Sequence, residues 1–245
     1  MILLADIGNT NTHLGLADET RVVRCWEFPT RETIRGPKLK RARITGAIIG
    51  SVVPEAVAPM QRAIRRSYGV EPLLLSHKLD LGIGIRFPRP EQIGADRLAN
   101  AVSVAHRYGT PAIVVAFGTA LAFDIVSERA EYLGGVIAPG LAAMTDHLYQ
   151  KTALLPKIRL HEPKRAIGKS TIEAMESGAV IGYRGLVREI LMAIWREMDG
   201  KRPIVVGTGG YAKLIAAKLP DIERVDQRLT LEGLRIVYLR NRKNA

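Results

Sequence analysis

The stretch "LLADIGNTNTHLGLADE" (residues 3–19) runs from an apolar strand directly into Asp6, Gly8, Asn9 and Thr10. Residues 2–7 read as a strand, residues 8–10 as a turn, and the chain through Leu14 to Leu16 as a second strand. "TRVVRCWEF" (20–28) supplies a third, so the sheet begins as an antiparallel meander. Glycine lets backbone N–H groups approach an anion closely, and Asn and Thr add side-chain donors around it, so such a turn can cradle phosphate. Asp6 would repel that phosphate unless a divalent cation lay between them, a conflict that Mg²⁺ with retained waters resolves. The same residues also make an ordinary hairpin, and this turn alone does not decide between the two readings.

Working outward, "GAIIGSVVP" (46–54) is a continuous apolar run of the buried-strand type, with Pro54 at the first position of a helix whose apolar face is Val57, Met60 and Ile64. "EPLLLS" (71–76) completes a βαβ unit. A further helix carries Leu98, Ala101, Val102 and Ala105 on one side and stops at Gly109. The opening pattern then returns. In "VVAFGTALAFDIV" (114–126) an apolar strand meets Gly118 and Thr119, a second strand follows with Asp124, and "EYLGGVIAP" (131–139) gives a third. A helix-rich stretch (141–198), the strand "PIVVG" (203–207), the turn "TGGYA" (208–212), a helix and a closing helix from "TLEGLRIVYLRN" (230–241) complete the chain. The recurrence predicts an α/β fold of two similar halves, 1–109 and 110–245. The glycines of the third turn, Gly209 and Gly210, can admit an adenine or ribose edge or simply cap a strand. Neither G-x-x-x-x-G-K-[ST] nor a helix-opening G-x-G-x-x-G occurs, which excludes the P-loop and dinucleotide folds.

Among 245 residues, 36 Lys and Arg against 24 Asp and Glu give a formal charge of +12. The basic residues are scattered, grouping only at 36–43, 64–66 and 239–245, and aromatics are 5% of the chain, so nucleic acid is not the expected main ligand. Cys25 is alone, and the five histidines (His13, His77, His106, His147, His161) lack paired ligand spacing, so neither a disulfide framework nor a structural zinc is expected. No segment approaches the roughly 20 uncharged residues of a membrane span, and the expected compartment is the cytoplasm.

"DIGNTNTHLGL" (6–16), "SVVP" (51–54), "IGADRLAN" (93–100), "FGTALAFD" (117–124), "GGVIAPG" (134–140), "IGKSTIEAMESGAVIGY" (167–183), "TGGYA" and "LTLEGL" (229–234) resemble, in order and spacing, the type III pantothenate kinases. That family is grouped with actin, the sugar and acetate kinases and the chaperone ATPases. The resemblance covers nearly the whole chain and is weakest over 30–45. It implies two ribonuclease-H-like (actin-like ATPase) halves with mixed sheets flanked by helices around an interdomain cleft, in a homodimer whose sites are shared across subunits. It implies transfer of phosphate from ATP, with Mg²⁺ and a monovalent cation (K⁺ or NH₄⁺), to pantothenate, the first step towards coenzyme A. Asp6, Gly8, Asn9 and Thr10 match the first phosphate motif, Asp6 on the metal side. Gly118 and Thr119 match the second, and Gly209 and Gly210 lie in the third turn. Gly94, Ala95, Asp96 and Arg97 match the pantothenate motif, with Asp96 as general base on the primary hydroxyl and Arg97 gripping substrate; Phe87 stands beside it. Thr171 matches a threonine that reaches pantothenate from the partner subunit. By residue chemistry alone, Asp96 serves equally as a helix amino-terminal acid, and Arg97 equally as an ion-pair partner of Glu91 or Asp96.

Two departures stand out. Ala116 occupies the place where the family's second phosphate motif has an aspartate, removing about half the negative charge that holds the metal's waters; Leu121 and Ala122 replace hydroxyl residues after it. Phe87 replaces a usual tyrosine, keeping the ring and losing one hydrogen bond, worth about 1 kcal/mol. The alternative to a working kinase is an impaired relative that binds without turnover or serves an accessory role in transcription.

Overall fold

Alternation and apolar runs place the first sheet as expected in the computed structural model, which describes residues 1–37, 39, 43–198 and 202–242. Lys38, Lys40 and Arg41 of the 36–43 basic grouping, and Lys243 of the tail, lie outside the described residues. Strand β1 (Ile2–Ile7) is buried at Ile2 to Ala5 and again at Ile7, because it is the centre of the sheet. It pairs antiparallel with β2 (Asn11–Ala17), which pairs antiparallel with β3 (Val22–Pro29). On its other edge β1 runs parallel to β4 (Gly46–Ser51), and β4 runs parallel to β5 (Pro72–Leu74). The order is β3-β2-β1-β4-β5.

Between β4 and β5 lies helix α2 (Pro54–Tyr68), with Pro54 at its first position and Gly69 in a left-handed conformation (φ 66°) closing it. Its buried face is Ala56, Met60, Ala63 and Ile64, packed on the core that Leu3, Ala5, Ile7 and Ile49 build. Helix α3 (Ala95–Tyr108) buries every residue from Leu98 to Val104. One amphipathic stripe would not do so: α3 is covered on one side by the first sheet and on the other by the closing helix α7 (Leu229–Asn241).

The second sheet repeats the order. Strands β7 (Ala112–Phe117), β8 (Ala120–Val126) and β9 (Glu131–Pro139) succeed one another, and β10 (Ile204–Thr208) joins β7 in parallel with β11 (Arg224–Val225) beyond it, giving β9-β8-β7-β10-β11. Two sheets built as 3-2-1-4-5, each flanked by helices, form a mixed α/β fold. A short strand the sequence did not reveal, β6 (Gly84–Ile85), adds in parallel to Glu131 and Tyr132. Also unforeseen is α1 (Thr30–Ile34), directly after Pro29.

Contacts divide the chain into two compact units, and the division differs from a cut at 109/110. The first comprises Met1–Thr110 together with Val126–Gly134 and Arg228–Ala245, and the second Pro111–Ile125 with Gly135–Gln227. The closing helix, assigned to the second half from the sequence, therefore belongs to the first unit, for reasons visible in its side chains. A Cβ on Gly233 would lie 1.9 Å from the Ala99 carbonyl oxygen, so α7 and α3 touch backbone to backbone. Thr230 donates to Asn100 at 2.8 Å, and the buried Glu232 accepts the Val22 N–H at 2.8 Å and Arg235 Nε at 2.7 Å. The sequence also predicts a helix-rich stretch over 141–198. The structure breaks it into α4 (Leu141–Lys151) and α5 (Thr171–Glu197), because Pro156 and Pro163 deny the intervening backbone a helical ladder. In the second unit Arg184 on α5 spans the gap to α6 (Ala212–Ala216), donating to the carbonyls of Leu214 and Ile215 and to Glu162, whose carboxyl this pairing lowers to about 2.

Gly233→Ala must separate α7 from α3, an overpacking that typically costs about 1–3 kcal/mol. Thermal denaturation should register a fall of roughly 2–10 °C in Tm for a chain of this size.

Candidate active site

Asp6 stands at the end of β1, with His13 opposite on β2 and Gly50 on β4. The turn beyond it closes by a bond from the Gly8 N–H to the Asn11 carbonyl (3.0 Å), leaving Asn9 and Thr10 exposed. Its support comes from α1: Thr30 Oγ1 donates to the Gly8 carbonyl at 2.6 Å, and the Thr30 N–H to the Thr10 carbonyl at 2.9 Å. Thr30 lies in the segment least like the family, so only the three-residue spacing of Thr30 and Thr33 could have hinted at it.

Asp96 occupies the second position of α3, whose N-cap is Gly94. A Cβ on Gly94 would lie 2.6 Å from Asp96 Oδ1 and 3.3 Å from Val52, so glycine is what lets the carboxylate fold back over the helix start. There Oδ1 accepts the Arg97 N–H at 2.9 Å. Burial, opposed by that N–H and the Arg97 charge, raises the Asp96 carboxyl above its ordinary value, making it a stronger proton acceptor than a solvated carboxylate. Asp6 responds to the same environment: burial first, then the nearby charge of Asp96, raise its carboxyl from 3.8 to about 7. The structure thus brings together the first phosphate turn and the substrate motif, two expected sites far apart in sequence.

Arg97 rises beside them, its guanidinium carbon 5.7 Å from the centroid of the Tyr132 ring. Tyr132 is fully buried and meets Phe87 edge-on at 6.1 Å between centroids. A Cβ on Gly134, which has φ 130°, would come to 3.5 Å of the Phe87 ring. Ala95 is buried, whereas Gly94 and Arg97 are half-buried. Tyr132, absent from the sequence reading, was detectable only as the one aromatic residue of "EYLGG".

In the second unit the turn at Gly118 and Thr119 is exposed and one residue tighter: the Gly118 N–H bonds to the Ala120 carbonyl at 3.0 Å. Gly140 presses against it, since a Cβ there would lie 2.2 Å from the Thr119 carbonyl oxygen. Ala116 is half-buried at the end of β7, in register with the buried Thr208 on β10. Asp124 is wholly buried in β8. Gly209 (φ 91°) packs on the Phe117 backbone and its carbonyl accepts Gln227 Nε2 at 3.1 Å, while Gly210 stands open. Thr171 is exposed at the first position of α5, whose N-cap Ser170 accepts the Glu173 N–H at 3.2 Å. It edges an apolar groove of about 850 Å³ between α4 and α5, lined by Met144, Leu148, Met175 and Ala179.

Among the described residues no three His, Cys, Asp or Glu side chains gather into a metal cage. A single carboxylate holding its proton near neutrality beside a second one is nonetheless a place where positive charge is favoured. Mg²⁺ is commonly held through one or two carboxylates, with waters and substrate phosphates filling the remaining positions, and Asp6 suits that mode.

The family model for type III pantothenate kinase matches residues 2–193. The chain belongs to the type III pantothenate kinase family. The matched span contains every site residue named above from the sequence except Gly209 and Gly210. A type III pantothenate kinase of Akkermansia muciniphila is 49% identical over 240 residues, 96% of each chain. Among solved structures, a Campylobacter jejuni protein titled as a Baf family transcriptional activator superposes with a TM-score of 0.66 at 18% identity, covering 98% of this chain and 99% of that one. The ROK hexokinase of Thermus thermophilus gives 0.52 at 16% identity over 97% and 98%. At such identities these likenesses establish the fold alone, a mixed α/β fold of two sheets flanked by helices.

Because the folded Asp6 value stands above its ordinary 3.8, the native state holds a proton that the unfolded chain has already released between about pH 4 and 7. Stability therefore falls as pH rises through that window. Asp6→Asn should flatten this dependence, so that the variant gains Tm over the parent at pH 8 and not at pH 4, by about 2–4 °C per kcal/mol recovered, as read by parallel melts.

Proposed function

We propose that the chain transfers the γ-phosphoryl group of ATP to the primary hydroxyl of pantothenate, giving 4'-phosphopantothenate and ADP. The single observation that carries the reading is the pose of Asp96: a carboxylate with raised proton affinity, folded over a helix start by Gly94, beside Arg97. Phosphoryl transfer asks for positioning and charge neutralisation more than covalent help, so one well-placed base suffices. Asp96 takes the hydroxyl proton as the oxygen bonds to the γ-phosphorus and the bond from phosphorus to the β,γ-bridging oxygen breaks, leaving ADP.

Arg97, steadied by the Tyr132 ring, pairs with the pantothenate carboxylate, and Phe87 supplies an apolar wall. The donors of Asn9 and Thr10, and those of Thr119, meet phosphate oxygens beside Gly8 and Gly118, whose own N–H groups close the two turns; Gly209 and Gly210 leave room for the nucleoside. Asp6 would hold Mg²⁺, which would neutralise phosphate charge when bound, and K⁺ or NH₄⁺ would complete the cofactor set. The working form is a cytoplasmic homodimer in which Thr171 reaches the partner's pantothenate; its exposure at the edge of an apolar groove supports this. No helix among the described residues is long and apolar enough to cross a membrane.

A second reading, an impaired relative that binds without turnover, is favoured by Ala116 alone. A coupled assay with pantothenate, ATP, Mg²⁺ and K⁺ separates the two. The kinase yields pantothenate-dependent ADP that Asp96→Ala abolishes, whereas the binder yields calorimetric heats without ADP. In the kinase Ala116→Asp should raise kcat/KM by about 10- to 100-fold, the size of effect usual for an outer ligand of a metal, and in the binder it should bring ADP formation above background. If the site is shared between subunits, mixing inactive Thr171 and Asp96 variants should restore activity through heterodimers with one intact site; unchanged inactivity after subunit exchange would refute the shared site.

A further inference from the structure

Three threonine hydroxyls lie together beneath the first phosphate turn: Thr12 on β2 and Thr30 and Thr33 on α1, exposed by no more than 2%. Thr12 and Thr30 oxygens are 3.2 Å apart, Thr12 and Thr33 oxygens 2.7 Å, and Thr30 Oγ1 donates to the Gly8 carbonyl at 2.6 Å. Each hydroxyl has one proton. Since that of Thr30 goes to Gly8, Thr12 must donate to Thr30 and Thr33 to Thr12. The chain of donors has one direction, ending on the turn, and such chains strengthen each member.

The Thr30 backbone N–H, donating to the Thr10 carbonyl at 2.9 Å, adds a second anchor. Both turn carbonyls are thereby held on the α1 side. In a trans peptide the carbonyl of one residue and the N–H of the next point in opposite directions, so fixing the Gly8 carbonyl aims the Asn9 N–H away from α1. Among the described residues the Asn9 N–H has no protein acceptor. An anion approaching the exposed side of the turn then meets a donor, where a rotated Gly8–Asn9 peptide would present a carbonyl oxygen to it.

We propose that Thr30 is a positioning residue for nucleotide phosphate: without touching ATP, its side chain and backbone hold the turn so that the Gly8–Asn9 peptide stays in the donor-outward orientation. This rests on the reading of the turn as a phosphate site in an ATP-dependent kinase. Thr30→Val keeps the shape and removes the hydroxyl; Thr30→Ser keeps the hydroxyl.

The expected result is a fall of about tenfold in kcat/KM for ATP in Thr30→Val, the loss of one hydrogen bond of about 1.4 kcal/mol. The KM for pantothenate should stay within twofold, Thr30→Ser should be restored to near the parent, and Thr33→Val, which removes only the far donor, should fall between. An unchanged ATP parameter in a folded Thr30→Val, equal damage to both substrates, or a serine variant no better than valine overturns the proposal. Should the parent form no pantothenate-dependent ADP, the kinase reading fails by itself. Calorimetric titration with Mg·ATP then decides the role of Thr30: a tenfold weaker Kd in Thr30→Val supports it, and equal affinities, or a parent that binds no ATP, overturn it.

Discussion

Two like charges share one corner of the first unit, and much of that unit is arranged to hold them there. Asp6 ends a central strand and Asp96 begins a helix, and neither would choose the other's company in water. Burial raises the proton affinity of both, and the charge of Asp96 raises that of Asp6 further, so the unliganded pair is costly. The cost is met by close backbone packing around them. Gly50 admits Leu234 and Ala95 beside Asp6, Gly94 admits the Asp96 carboxylate, and Gly233 lets α7 press α3 into place. A corner kept too negative for its own comfort is one that favours a proton, a metal ion or a hydroxyl giving up its hydrogen.

Strands and long helices were legible in the sequence because they obey simple periodicities. The meander, the βαβ unit, Pro54 at a helix start and the recurrence after Gly109 follow from apolar alternation and turn residues, and the structure has them. What sequence could not supply depends on contacts between distant residues. α1 and β6 are too short for a period to register. The closing helix was placed in the wrong half because nothing local in "TLEGLRIVYLRN" says that Gly233 will meet Ala99. Within the helix-rich stretch 141–198, Pro156 and Pro163 mark the segment that separates α4 from α5. At the site, Asp6, Asp96 and Arg97 came from motif order, while Tyr132, Thr30 and Gly140 act through space and carry no signature of their own.

The two glycine turns are less alike than their letters suggest. The first spans from Gly8 to Asn11 and is braced by Thr30; the second closes from Gly118 to Ala120 and is braced by the bare backbone approach of Gly140. Their flanking residues differ as well: Asp6 precedes the first turn and Ala116 the second, while Asp124 is sealed inside β8.

The return of α7 to the first unit sets an order on biosynthesis. Residues 229–241 leave the ribosome well after α3 and the first sheet, yet they cover both. Domains emerging from a ribosome generally fold amino-terminal part first. Here that part waits: until α7 arrives, α3 lacks one of its two covers, and the nascent amino-terminal portion exposes the surface around Ala99 and Asn100. The first unit is begun before most of the second is made and is completed after it.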